Sequence, residues 1–80
     1  MVARMARTIR LSSAFERAVA ERQRHSTTPL WQEIGVHRTT LHRVRTGETE
    51  PSTAFIAGAL RAFAPMRFED LFESVEQAEQ

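Results

Sequence analysis

Apolar residues recur along most of the chain at helical spacing. Phe15, Ala18, Val19 and Arg22 fall at i, i+3, i+4 and i+7, which gives one apolar stripe that ends on an arginine stem. Ser13 and Glu16 have the Ser-x-x-Glu spacing of a capping box, so a first helix is predicted over residues 13–24. Ser26-Thr27-Thr28-Pro29 is a start signal, with either Thr28 or Ser26 as cap and Pro29 in the tolerant first turn. A short second helix, 29–34, should end at Gly35 in a left-handed conformation. A third, 38–45, has His37 at the N-cap, Val36 and Leu41 at hydrophobic-staple spacing, Leu41 and Val44 pointing inward, and Gly47 closing it. Glu48-Thr49-Glu50-Pro51 is a turn, and Ser52 caps a fourth helix, 53–63, that buries Phe55, Ile56, Ala59, Leu60 and Phe63. Gly58 in its middle costs about 1 kcal/mol against alanine, unless it permits a close helix crossing. After the break at Ala64-Pro65-Met66, the spacing of Phe68, Leu71, Phe72 and Val75 predicts a fifth helix, 67–76. No segment shows sustained period-two alternation, so no sheet is expected. The expected fold is all-α, a single compact domain of five helices over residues 11–76, with a basic arm (1–10) and a frayed tail (77–80).

Composition sharpens this picture. A chain of 80 residues with 41% hydrophobic and 26% charged residues suits one small globular domain and excludes a disordered tail. The longest apolar run, Ala54 to Leu60, has seven residues where a membrane span needs roughly 20, so no membrane segment is expected. Arg4, Arg7 and Arg10 have no apolar run behind them, which argues against a secretory signal. With no cysteine there is no disulfide and no thiolate chemistry, and a cytoplasmic location is expected. The net charge of +1 conceals an uneven distribution: residues 1–47 carry +6 and residues 48–80 carry −5. A basic front half suggests a face meant for a polyanion.

Residues 27–47 are the informative stretch. A short helix, a glycine turn and a second helix buried at Leu41 and Val44 have the spacing of two helices packed across a tight turn. The outer face of the second carries Arg38, Thr39, His42, Arg43 and Arg45, and a short helix bearing such residues fits the major groove of DNA. The series IGVHRTTLHRVRTGETEPS, followed by an apolar helix and FEDLF, resembles the helix-turn-helix domain of phage repressors and Cro proteins, the XRE-like regulators. The resemblance covers residues 11 to about 73. It implies a five-helix fold with base contacts from Arg38, Thr39 and Arg43; His42 faces the same groove. It implies phosphate contacts from Thr27, Arg45 and Thr46. Three residues depart from the family pattern: Trp31 stands where a small residue is usual, Thr27 replaces a glutamine, and His37 replaces a serine or threonine cap.

The partner so implied is double-stranded DNA, bound either by a homodimer on a two-fold operator or by a monomer. Phe68, Leu71, Phe72 and Val75 form either the dimer face or part of the monomer's own core. No cofactor, metal or small-molecule ligand is expected. His25, His37 and His42 do not fall at i, i+4 spacing, and so small a helical chain has no deep pocket for catalysis, so no enzyme is expected. Two other readings keep the fold: a protein-interaction module (an antitoxin, anti-repressor or phage adaptor) using the acidic C-terminal segment and Trp31, and an accessory DNA-binding protein of recombination.

Overall fold

The computed structural model describes residues 5–78. In chain order they form β1 (Met5–Leu11), α1 (Ser13–Gln23), α2 (Leu30–Ile34), α3 (Arg38–Arg45), α4 (Thr53–Ala62), α5 (Phe68–Leu71) and β2 (Phe72–Ala78). The all-α expectation is corrected: β1 and β2 pair in an antiparallel two-stranded sheet, so the fold mixes helix and strand. The described part of the segment read as a basic arm, residues 5–10, belongs to the first strand. The segment read as a fifth helix is one helical turn that becomes the second strand at Phe72. Arg4 lies outside the described residues.

The first four helices expected from the local spacing are present, to within a residue or two at their ends. The core is drawn from the apolar stripes: Phe15 and Val19 from α1, Leu30 and Ile34 from α2, Leu41 and Val44 from α3, and Phe55 and Ala59 from α4, joined by Phe63, Leu71 and Phe72, while Ile56 and Leu60, expected inside, are only partly buried. Phe15 meets Phe63 edge-on at 5.5 Å, and Phe72 meets Phe55 edge-on at 6.4 Å. Gly58 permits a close crossing of α4 over the end of α2: a Cβ there would lie 1.9 Å from the Ile34 carbonyl oxygen. One turn on, Arg61 donates to the Glu33 carbonyl at 3.0 Å, satisfying one of the acceptors a helix end leaves open.

The start of α1 differs from the expected capping box. Ser12, not Ser13, is the N-cap, and its hydroxyl donates to the Asp70 carbonyl at 2.8 Å rather than capping the helix. Its backbone N–H donates to the Leu71 carbonyl at 2.8 Å. Ser12 therefore ties the β1–α1 junction to α5, and Glu16 is left for another partner. At α2, Pro29 is the N-cap rather than the first helical residue, while the Ser26 hydroxyl accepts from the Thr28 N–H at 3.2 Å.

The register pairs Leu11 with Phe72, Arg10 with Glu73, Thr8 with Val75 and Arg7 with Glu76. Leu11 and Ile9 pack against the core beside Phe72, which anchors the ribbon to the helices. Opposite charges stand across the strands, with Arg10 2.6 Å from Glu73 and Arg7 3.2 Å from Glu76. A two-stranded ribbon has two open edges, and a side chain occupies one backbone group on each. Glu50 accepts from the Ile9 N–H at 3.2 Å on the β1 edge. Arg7 crosses to the β2 edge and donates to the Ser74 carbonyl at 3.1 Å. Side chains that occupy edge groups in this way oppose edge-to-edge association.

Candidate nucleic-acid interface

The α2–α3 pair is built around Gly35. Its φ of 89° lies in the left-handed region, and its N–H and that of Val36 both donate to the Trp31 carbonyl at 3.0 Å. This closes α2 and turns the chain sharply into α3. His37 caps α3 as the spacing predicts: its Nδ1 accepts from the Thr39 N–H at 3.4 Å. Gly47, with φ 81°, ends the following turn, and the Thr46 hydroxyl donates to the Arg43 carbonyl at 3.1 Å.

Helical geometry decides which α3 side chains can meet a partner. At about 100° per residue, Leu41 and Val44 point to one side and are buried. Arg38, Thr39, His42 and Arg43 fall within an arc of about 140° on the other side, and all four are exposed. The structure thus brings the four expected base-contact residues onto one face. Among the described residues, neither Arg38 nor Arg43 has a carboxylate within ion-pair distance.

The residues expected to bind phosphate are placed differently. Arg45 lies at the edge of this face and turns back to α1, where Glu16 accepts from its Nε at 2.9 Å and from its second guanidinium nitrogen. The hydrogen bonds to Glu16 raise the Arg45 pKa above the usual guanidinium range. Thr46 is exposed just past α3, and Thr27 is exposed in the loop before α2. Sequence reasoning assigned Glu16 to a helix cap and missed its pairing with Arg45, a contact between residues 29 positions apart.

A second ion pair braces the unit from behind. Arg22, whose side chain is 9% exposed, reaches from α1 to Glu33 on α2 at 2.7 Å and also donates to the Thr28 carbonyl at 3.2 Å. The hydrogen bond from Arg22 holds the Glu33 carboxyl below its ordinary range, helped by the charge of Arg61. The arginine that ends the apolar stripe of α1 therefore fixes the orientation of α2.

Trp31 is half-buried against the core, and its exposed side opens on a groove of about 300 Å³ that it lines with His37 and Arg38. Of the residues read as a dimer or core face, Leu71 and Phe72 are fully buried in this chain's own core. Phe68 stacks on Phe72 at 5.1 Å, and both Phe68 and Val75 keep part of their surface exposed. Among the described residues, no cluster of three His, Asp or Glu side chains is placed to hold a metal ion. No helix among them is long and apolar enough to cross a membrane. Comparison with protein-family models, with curated proteins and with solved structures returned no match.

Proposed function

We propose that the protein is a sequence-specific, double-stranded DNA-binding regulator of the phage-repressor and Cro type that seats α3 in the major groove. The observation that carries this reading is the outer face of α3, where Arg38, Thr39, His42 and Arg43 stand together and exposed with both arginines unpaired among the described residues. A major groove about 12 Å wide admits one helix, and an arginine fork matches the O6 and N7 acceptors of guanine. Thr39 and His42 supply shorter donors and acceptors on the same arc. Thr27, in the loop before α2, and Thr46, just past α3, are both exposed, as residues that hold the backbone must be.

On a two-fold operator, two copies would read half-sites about 34 Å apart. Leu71 and Phe72 are already used by the monomer, so such a dimer would draw on the exposed parts of Phe68 and Val75. The test is selection of bound duplexes from a random pool, followed by mobility shifts over a salt series with the protein copy number measured. One enriched motif and a salt-sensitive complex are expected. No selective retention of any duplex at low salt would overturn the reading.

A further inference from the structure

We propose that the groove between Trp31, His37 and Arg38 holds one deoxyribose–phosphate unit of a DNA strand, with the indole packed on the sugar and His37 donating to the phosphate. This rests on the DNA reading and adds a contact that the α3 face does not supply. The groove is open, measures about 300 Å³, and among the described residues is lined by Trp31, His37 and Arg38. One wall is an indole, and the others are an imidazole and a guanidinium, the latter a fixed cation.

Position decides where the groove lies. Trp31 is the second residue of α2, His37 is the cap of α3 and Arg38 its first residue. The groove therefore runs along the lip between the two helices and adjoins the exposed arc of α3. A strand whose bases met that arc would pass its backbone beside the lip. An indole suits such an occupant, because its ring is apolar while its N–H remains a donor.

Donor chemistry points the same way. His37 Nδ1 accepts from the Thr39 N–H, which leaves the ring proton on Nε2 as a free donor. Among the described residues, neither His37 nor Arg38 meets a carboxylate. The groove is thus electropositive and offers an apolar wall. A free inorganic anion would leave the indole unused, and an apolar peptide side chain would leave the cation unused. A sugar–phosphate unit engages both. Arg38, with five donors, can border this groove and still extend its fork to a base.

Trp31 reports on its own occupancy, because the chain contains one tryptophan and no tyrosine. Selected duplex is titrated into the wild-type protein. Anisotropy of a labelled strand reads binding, and acrylamide quenching reads access to Trp31. Quenching is expected to fall several-fold at saturation. A scan of duplexes with a single neutral methylphosphonate linkage is expected to find one linkage that weakens wild-type binding about tenfold. The same linkage should cost little with Trp31→Ala or with His37→Ser, which can still cap α3. Duplex binding with unchanged quenching, or equal losses in wild type and variants at every linkage, overturns the proposal while leaving the DNA reading intact. No change in anisotropy with any duplex removes the DNA reading, and this proposal with it. If Trp31→Ala fails to fold, the wild-type quenching and the His37→Ser scan still decide.

Discussion

Gly58 carries hydrogen where any other residue would put a carbon 1.9 Å from a backbone oxygen of Ile34. Helix propensity alone says that Gly58→Ala should stabilise α4 by about 1 kcal/mol. The clash is with backbone, which cannot step aside as a side chain can, so the opposite sign is expected. Gly58→Ala should lose about 3 kcal/mol or more in urea unfolding. A gain in stability would show that the two helices do not cross so closely. Glu33 offers a pH test of the brace behind the interface. Its folded pKa is lowered by the Arg22 hydrogen bond, so its contribution is fully present above the ordinary carboxylate value and lost as pH falls through the lowered one. Melting curves of wild type and Glu33→Gln should therefore differ most near neutral pH and converge as pH falls below the ordinary carboxylate range. A difference that stays constant would mean the carboxylate charge contributes nothing. On the outer face, Arg38→Ala should cost about 1–3 kcal/mol of DNA affinity and relax preference at one base pair. Uniform weakening on all sequences would make Arg38 a phosphate contact instead.

The ribbon is held by paired charges and a capped edge, and its charge pairs can be separated by exchange. Arg10→Glu places two carboxylates opposite each other at the position of the Arg10–Glu73 contact. The double variant Arg10→Glu with Glu73→Arg should recover up to about 1 kcal/mol of what the single variant loses, the range for cross-strand pairs. Strict additivity would mean that the pair adds nothing to strand association. This element also marks where the sequence stops being readable from local windows. The helices from Ser13 to Ala62 carry their own signals: Gly35, Gly47 and Ser52 act within a turn of where they stand. The fifth does not. Phe68, Leu71 and Phe72 satisfy the helical period within α5 and the first residue of β2, so only Val75 carried the extrapolation to residue 76. What makes 72–78 a strand is a partner more than 60 positions away, with Arg7 and Arg10 spaced to meet Glu76 and Glu73. The same distinction runs through the candidate site. The exposed arc of α3 follows from a 3.6-residue period, whereas the pairing of Arg45 with Glu16 depends on how α1 and α3 pack.

At the scale of the whole molecule, the +6 of the front half and the −5 of the rear half do not stand apart. Arg7 and Arg10 are paired with Glu76 and Glu73 from the rear, while Arg22 and Arg45 are paired with Glu33 and Glu16. Of the described arginines before residue 48, this leaves Arg17, Arg24, Arg38 and Arg43 without a carboxylate partner among the described residues. If DNA is the partner and only these four release counterions, the log–log salt slope should be no steeper than about −4 per subunit, at about −0.9 for each phosphate. Counting every arginine of the front half would give about twice that. Arg45 separates the two cases. Glu16→Gln removes the carboxylate that holds it while keeping a side chain of the same size. The exposed pair contributes little to folding, so stability should change by less than about 1 kcal/mol. Released at the edge of α3, Arg45 should add a phosphate contact, steepening the slope by about 0.9 and tightening binding most at low salt. An unchanged slope in a folded Glu16→Gln protein would show that Arg45 does not reach the backbone even when free. Its bond to Glu16 would then serve only to join α1 to α3.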